Sequence, residues 1–172
     1  MRRVRLNELQ SALPKSPEIP TVSRPLVIRG HPPLLTVTAL LETEGLPVSD
    51  LSDAHLEHFF FTGSDGLPTG LVGLELYGAD ALLRSLVVGR SARSAGIGSS
   101  LVQHAESYAA SRRVRSIYLL TATSEAFFRR LGYERIGRSE APPSIARTHE
   151  FASLCPASSA FMVKNLEPTG DV

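Results

Sequence analysis

Residues 81–112 constrain the fold more than any other part of the sequence. Residues 81–88 (ALLRSLVV) are mostly apolar, residues 89–96 are mostly small or basic, and residues 98–112 carry apolar side chains at three- and four-residue steps. A short apolar run is typical of a strand, and the three- and four-residue spacing is typical of an amphipathic helix. The sequence therefore predicts a strand, a glycine-containing turn and a helix in direct succession.

The glycines of this turn favour an anionic ligand. Gly96 and Gly98 leave backbone N–H groups uncovered at the start of the predicted helix, where the helix dipole and unsatisfied donors favour a diphosphate. A dinucleotide-binding turn would need GxGxxG and an acid closing the next strand, and residues 119–122 (LLTA) contain none. A P-loop would need Lys followed by Ser or Thr after the second glycine, which is also absent. Taken alone, the glycine pair also fits a purely structural turn.

The remaining pattern predicts a mixed sheet covered by helices. Strands are predicted at residues 26–30, 70–77, 81–88, 116–122, 134–139 and 159–166. Helices are predicted at residues 34–45, 49–61, 98–112 and 124–131. A short turn at residues 78–80 joins two strands as a hairpin. This order of elements predicts the α/β class.

Length and composition narrow the protein class. A chain of 172 residues is expected to hold one domain, here residues 26–166, between a basic, proline-containing tail (1–25) and a frayed end (167–172). The net charge of +1 gives no reason to expect nucleic acid, and a single cysteine excludes an internal disulfide. No apolar run is long enough for a membrane span, so we expect a cytoplasmic protein without a membrane partner. We expect no metal site, since His55 and His58 lack an evident third ligand.

Two segments together resemble a known family. LLRSLVVGRSARSAGIGSSLVQHAESYA (82–109) resembles the acetyl-CoA motif of the GNAT superfamily of N-acetyltransferases, with the pattern Arg-x-x-Gly-x-Gly at Arg93, Gly96 and Gly98. SIYLLTATSEAFFRRLGYERIG (116–137) resembles the strand, short helix and glycine–aromatic corner that follow it. The resemblance implies the GNAT fold, a central mixed, mostly antiparallel sheet with a splayed strand pair and flanking helices.

The resemblance also implies where acetyl-CoA binds. The backbone amides of residues 93–99 are expected to hold the pyrophosphate, and the end of the preceding strand is expected to pair with the pantetheine arm. Side chains at the start of the later helix are expected to line the other flank of the cofactor. The implied cofactor residues are Leu86, Val87, Val88, Arg93, Ser94, Ala95, Gly96, Ile97, Gly98, Ser99, Thr123, Phe127, Phe128 and Arg130.

A narrower resemblance adds a subfamily. GLELYGADALLRSL (73–86) and THEFASLCPASSA (148–160) resemble the acetyltransferases encoded in arsenic-resistance operons, of the second type named there. That name follows gene neighbourhood, so the resemblance implies a family and no particular substrate.

Residues for the acceptor half of the reaction are less evident. Many relatives carry a glutamate where this chain has Leu82, so Glu75 on the neighbouring strand is the candidate base, acting through water. Glu75 alternates with apolar neighbours, and Tyr77 shares its face and could line an acceptor cleft. An arginine inside a central strand must be paired or face a cleft, which makes Arg84 a candidate for acceptor recognition.

The expected proton donor is missing. Phe128 stands where relatives often have a tyrosine that protonates the leaving thiolate, and Thr123 replaces a common asparagine. The resulting prediction is an acetyl-CoA-dependent N-acetyltransferase that acts on a small amine or amino-acid-like acceptor by direct attack in a ternary complex. The alternative is a non-catalytic acyl-CoA-binding sensor or interaction module of the same fold. Many relatives dimerise, so the resemblance also implies a homodimer.

Overall fold

The computed structural model describes residues 26–166, and the predicted tail (1–25) and frayed end (167–172) lie outside the described residues. The strands are β1 (Ile28–Gly30), β2 (Phe59–Ser64), β3 (Leu67–Tyr77), β4 (Asp80–Val88), β5 (Ser116–Thr121), β6 (Glu134–Ile136) and β7 (Ala160–Asn165). The α-helices are α1 (Leu34–Thr43), α2 (Ile97–Ser111), α3 (Glu125–Arg130) and α4 (Pro143–Ala146). None of the helices within residues 26–166 is long and apolar enough to cross a bilayer.

All seven strands form one sheet, in the order β1-β2-β3-β4-β5-β7-β6. Only β4 and β5 run parallel, and every other neighbouring pair is antiparallel. The predicted hairpin is confirmed, with Tyr77 opposite Asp80 and Gly78 in the left-handed region at φ +67°. The mixed, mostly antiparallel sheet predicted from the sequence is therefore present.

The helix predicted over residues 49–61 is wrong. That segment holds a 3₁₀ turn at His55–His58 and then strand β2. Phe59 and Phe61 pack on one side of the sheet, whereas Phe60 packs on the other, so consecutive phenylalanines are buried on opposite faces. Leu56, Phe59 and Phe60 fit a helical spacing in the sequence. However, consecutive phenylalanines can be buried on both faces of the sheet only in an extended strand.

Helices cover both faces of the sheet. On one face α2 packs through Leu101, Val102, Ala105 and Ala109, all buried. On the other face α1 packs through Val37 and Leu41 against the second apolar cluster. The sheet is thus the middle of three layers, with apolar side chains on each side of it.

A long excursion lies between β6 and β7. It contains α4 and a single π-helical turn, Glu150–Leu154, in which Cys155 N–H donates to Glu150 O at 3.0 Å. Arg138 holds this turn from outside, since its guanidinium lies 4.3 Å from the Phe151 ring and donates to Phe151 O at 2.6 Å. Single π turns occur often at functional sites, and this one borders the cleft described next.

Candidate functional site

A cleft opens where β4 and β5 part. The two strands pair only over Asp80–Leu83 and Ser116–Leu119. Beyond Leu83, β4 keeps β3 as its neighbour and has no β5 partner, which leaves a gap of about 380 Å³. The gap is lined by Gly45, Leu46, Pro47, Leu83, Arg84, Ser85, Leu86, Leu119, Leu120, Thr121, Ala122, Thr123, Ser124, Phe128, Glu150, Leu154, Cys155, Pro156 and Ser159.

A bulge in β4 accompanies the separation. Leu71 lies opposite Val87 and Gly73 lies opposite Arg84, so β4 advances one residue more than β3 between these pairs. Ser85 sits inside the bulge at φ +56°, a conformation that non-glycine residues rarely adopt. A bulge bends its strand and re-aims the backbone. Here it coincides with the point where β4 leaves β5.

The end of β4 turns its backbone toward the gap. Gly89 N–H donates to Thr69 O of β3 at 2.9 Å, so alternation directs the N–H and C=O of Val88 to the opposite side. Arg93 Nε donates to Val88 O at 3.0 Å, and its Nη2 pairs with Glu44 at 2.7 Å. Val88 N–H is therefore a donor directed to the side from which β5 has withdrawn.

The glycine turn presents further amides. Gly96 adopts φ +74° immediately before α2, and the first α-helical bond of that helix runs from Ser100 N to Gly96 O at 3.0 Å. The N–H groups of Ile97, Gly98 and Ser99 precede that bond and have no acceptor within the helix. A Cβ at Gly98 would lie 3.4 Å from the Phe127 ring, so the absence of a side chain keeps this end of the helix open.

The other predicted cofactor residues are arranged around this turn. Leu86, Thr123 and Phe128 line the gap, and Phe128 is buried, packing edge-on to Tyr133. Val87 points its side chain into the apolar cluster below α1, and strand alternation from Gly89 directs its backbone N–H and C=O toward β3, away from the gap. Arg130 is exposed on α3. The predicted cofactor roles of these residues stay predictions.

Arg84 is the centre of a buried ion cluster on the other side of the gap. Its side chain is 1% exposed. Its Nη1 lies 2.5 Å from Asp50 Oδ2 and 2.5 Å from Glu75 Oε1, its Nη2 lies 2.8 Å from Asp50 Oδ1, and its Nε lies 3.1 Å from Glu150 Oε2. One guanidinium thus joins three carboxylates that come from β3, the segment after α1 and the π turn.

Burial and the three carboxylates set the proton affinities in this cluster. Burial disfavours the Arg84 cation, but Asp50, Glu150 and Glu75 together raise its pKa above the usual value. Burial also opposes the charge on Asp50, yet its hydrogen bond to Arg84 keeps the pKa of Asp50 below its ordinary range. Burial raises the pKa of Glu150 to about 7, with Arg84 opposing and Glu75 and Asp50 adding to the rise.

The predicted acceptor residues come together around Arg84. Tyr77 and Glu75 share a face as predicted, and Tyr77 O–H donates to Glu75 Oε2. Burial and Glu75 raise the pKa of Tyr77 above its ordinary value. Arg84 is both paired and at the cleft, which are the two possibilities that its position in the strand left open. The roles of all three in acceptor binding or catalysis stay predictions.

Sequence reasoning missed two members of the cluster and their neighbour. Asp50 and Glu150 are distant in the chain, and the only available signal was the buried arginine, which requires carboxylates without saying which. Cys155 Sγ lies 3.8 Å from Glu150 Oε1 at the cleft. Burial and then the Glu150 charge raise the pKa of this thiol to about 11, so it is protonated at neutral pH.

Comparison with known proteins agrees with this geometry. A family model described as the acetyltransferase (GNAT) family matches residues 33–133, more than half of the chain. An uncharacterised N-acetyltransferase of Chlorobaculum tepidum is 34% identical over 94 residues, which are 54% of this chain and 60% of that relative. The chain therefore spans less than two thirds of that relative's length.

Solved structures share the fold. N-acetylglutamate synthase of Neisseria gonorrhoeae, complexed with coenzyme A and N-acetyl-glutamate, superimposes with a TM-score of 0.71 at 19% identity, over 83% of this chain and 35% of that one. A Mycobacterium tuberculosis protein complexed with CoA gives a TM-score of 0.66 at 18% identity, over 82% of this chain and 99% of that one. A Staphylococcus aureus GNAT acetyltransferase gives 0.62 at 17% identity, over 83% and 99%.

This chain belongs to the acetyltransferase (GNAT) family, as the sequence predicted, and it has the GNAT fold. The splayed strands and the glycine turn are the two elements in which the family resemblance and the geometry coincide. The narrower likeness to arsenic-resistance acetyltransferases stays a prediction.

Proposed function

We propose that this protein transfers the acetyl group of acetyl-CoA to the amine of a small molecule or amino-acid-like acceptor, by direct attack in a ternary complex. The observation that carries the proposal is the separation of β4 from β5 beside the open amides of α2. It combines a slot for an extended thioester arm with an anion-binding helix end, in a chain of the GNAT family.

The cofactor is held mainly by backbone groups. The amides at residues 97–99 receive the pyrophosphate of acetyl-CoA, and the pantetheine arm lies along the unpaired edge of β4. Arg93 is engaged with Val88 O and Glu44, so it braces the turn and its remaining N–H groups face solvent. Phe127 and Phe128 form the apolar flank of this binding site.

Catalysis depends first on holding the two reactants in place and on polarising the thioester carbonyl. Val88 N–H, directed to the gap, donates to the thioester carbonyl and stabilises the negative charge that develops on its oxygen. Such a backbone donor needs no reorganisation during the reaction, and holding both reactants in one cleft adds the effect of proximity. The acceptor amine enters from the side of Arg84, Glu150 and Cys155.

The chemistry of this wall favours a positively charged acceptor. Arg84 and Glu150 line the wall, and Asp50 and Glu75 pair with Arg84 without lining the cleft, so three carboxylates against one guanidinium give this side an excess of negative charge when all are ionised. An ammonium group is attracted to such a wall. The segment that resembles the arsenic-resistance acetyltransferases, residues 148–160, forms part of the same wall, so arsenic-bearing amino acids belong among the acceptors to be tested.

A second function is favoured by Phe128. It lines the gap without a hydroxyl to return a proton to the leaving thiolate. The same cleft could then serve an acyl-CoA-binding sensor that performs no turnover.

Two measurements separate these functions. Calorimetry with acetyl-CoA and CoA is expected to show binding in the micromolar range, and no binding at high micromolar cofactor would exclude both. Thiol release is then followed across amino acids, arsenic-bearing amino acids, polyamines and aminoglycosides. Release that depends on an added amine identifies the transferase, and binding without release identifies the sensor.

A further inference from the structure

We propose that Glu150, on the π turn of the β6–β7 excursion, is the group that accepts the proton of the acceptor ammonium, and that Arg84, Glu75 and Asp50 position it. This inference rests on the proposed acetyl transfer and names the base for it. It replaces the sequence-based candidate, Glu75, for reasons of geometry.

Each oxygen of Glu75 and Asp50 already accepts a hydrogen bond from a strong donor inside the cluster. Glu75 Oε1 lies 2.5 Å from Arg84 Nη1, and Glu75 Oε2 accepts the Tyr77 hydroxyl. Asp50 binds the guanidinium with both oxygens, at 2.5 and 2.8 Å. Neither residue lines the cleft between β4 and β5.

Glu150 differs in both respects. It lines the cleft, together with Arg84 and Cys155. One of its oxygens lies 3.1 Å from Arg84 Nε, whereas Oε1 has only the weakly donating Cys155 thiol nearby, at 3.8 Å. Oε2 is buried and accepts no hydrogen bond in spite of this ion pair. Glu150 is therefore the carboxylate of the cluster that has the fewest strong hydrogen-bond donors and is free to take up a proton at the cleft.

The groups around Glu150 tune it for neutral pH. The residues that face it are Arg84 from β4, Glu75 from β3, Asp50 from the segment after α1, and Cys155 from the end of the π turn. Burial raises the pKa of Glu150 to about 7, since the two other carboxylates add to the rise and Arg84 limits it. The carboxylate is therefore the prevailing form only above about pH 7, and a general base works best with a pKa near the working pH.

Acetyl transfer with Glu150 as the base conserves atoms and charge. Glu150 carboxylate takes one proton from the acceptor R–NH₃⁺, and the nitrogen lone pair forms a bond to the thioester carbonyl carbon. The tetrahedral intermediate collapses, the C–S bond breaks and its electron pair stays on sulfur. The nitrogen gives its second proton to the CoA thiolate, and Glu150 releases the first proton to solvent. The products are the acetylated amine, CoA–SH and one proton.

The test compares Glu150→Gln with wild type on two probe amines, n-propylamine and hydroxylamine. Propylamine is almost fully protonated near neutral pH and needs a base, whereas hydroxylamine is weakly basic and does not. We expect Glu150→Gln to lower kcat/KM for propylamine at least about 100-fold near neutral pH, and for hydroxylamine by less than about tenfold. The rise of the rate with an apparent pKa near 7 is expected to vanish in this variant, while its Kd for CoA stays within about twofold.

Three further variants sharpen the test. Glu150→Asp keeps the carboxylate and is expected to retain the pH dependence with a rate about tenfold lower. Glu75→Gln is expected to retain a pH dependence, but with a lower apparent pKa, because Glu75 adds to the rise of the Glu150 pKa without itself accepting the proton. Glu134→Gln, on the exposed edge strand β6, is the matched control and should equal wild type.

A readout without turnover protects the inference against misfolding of a variant. Cys155 is the only cysteine in the chain, so iodoacetamide labels a single site beside Glu150. In wild type, saturating acetyl-CoA is expected to slow this alkylation at least about tenfold, measured near pH 9 because burial raises the pKa of the thiol to about 11.

The outcomes are distinguishable. If wild type acetylates propylamine and Glu150→Gln does so equally well with the same pH dependence, the base assignment is wrong and the transferase function stands. If acetyl-CoA leaves the alkylation of Cys155 unchanged although it binds, the π turn does not face the thioester and the assignment is again wrong. If wild type binds acetyl-CoA and releases no thiol with either amine or any acceptor in the wider screen, the transferase function fails and the base assignment fails with it.

Discussion

The two walls of the cleft present different chemical groups, backbone amides on one side and charged side chains on the other. The wall proposed for the cofactor, residues 88–99 (the cofactor wall), offers backbone amides on an exposed turn, with glycine or small side chains at residues 94–96. The wall proposed for the acceptor (the acceptor wall) is lined by Arg84 and Glu150, which pair with Asp50 and Glu75 behind it, and these charged side chains are largely buried. Both walls flank one strand, β4, on either side of its bulge.

This difference predicts different consequences of substitution. Backbone amides persist whatever the neighbouring side chains are, so changes on the cofactor wall act through charge and steric access to the ligand. Buried charges depend on one another, because each carboxylate is tolerated only with the guanidinium in place. Changes on the acceptor wall are therefore expected to alter folding stability together with chemistry.

The largest effect is expected from Arg84→Met. It leaves three buried carboxylates without their cation, and breaking a buried ion pair in this way costs about 3–5 kcal/mol of unfolding free energy. Urea denaturation measures the loss. The matched control is Arg129→Met, which removes an exposed 2.8 Å pair with Glu125 and should change stability by less than about 0.5 kcal/mol.

The loss of unfolding free energy in Arg84→Met is expected to depend on pH, because it arises from uncompensated negative charge. In Arg84→Met, Asp50 and Glu150 lose the cation that lowers their pKa values, so those values rise in the folded state and the penalty is present above them. The stability deficit relative to wild type should shrink as the pH falls from about 8 to about 5. A deficit that is constant over this range would show that lost packing, and no uncompensated charge, causes the effect.

A smaller effect, on the other wall, is expected from Gly96→Asp. Gly96 has φ +74°, which Asp and Asn tolerate better than most residues, and a Cβ there would have no heavy atom within 4 Å. The carboxylate repels the pyrophosphate and should weaken CoA binding about tenfold relative to Gly96→Asn, which has the same shape without the charge. Calorimetry compares the CoA affinities of the two variants directly. Equal affinities would show that the pyrophosphate does not bind at this turn.

The smallest effect is expected at the far end of α2. Arg113 adopts φ +65° while Val114 N–H bonds to Ala109 O at 3.1 Å, a helix ending that glycine fits better. Arg113→Gly should raise the unfolding free energy by about 0.5–1 kcal/mol and leave CoA affinity unchanged, because it touches neither wall. Arg112→Gly, at an ordinary φ of −97°, is the control and should destabilise instead.

The strand, turn and helix of the cofactor wall were predictable because their determinants are contiguous. A strand, a glycine turn and a helix follow one another in residues 81–112, and local spacing specifies each element. The helix ending at Gly45 was predictable for the same reason: Gly45 adopts φ +72° and Leu46 N–H closes back to Leu41 O at 2.9 Å.

The acceptor wall and β2 were not predictable, because long-range contacts decide them. Phe59 and Phe60 fit a helical spacing, and only burial between two layers makes them a strand. Arg84 indicated that partners must exist, but Asp50 is 34 residues away in the sequence and Glu150 lies on a π turn that no local pattern signals. Charge pairing across such separations depends on topology, which local sequence does not encode.

The position of β7 in the sheet has a consequence for the order in which the chain can assemble. β7 inserts between β5 and β6 and anchors the end of the excursion that carries Glu150. During synthesis the residues of the cofactor wall leave the ribosome well before β7, so the glycine turn can form while Arg84 still lacks one of its partners. A nascent chain can then form the proposed cofactor site before the proposed acceptor site, and the last strand that completes the sheet also completes the acceptor wall.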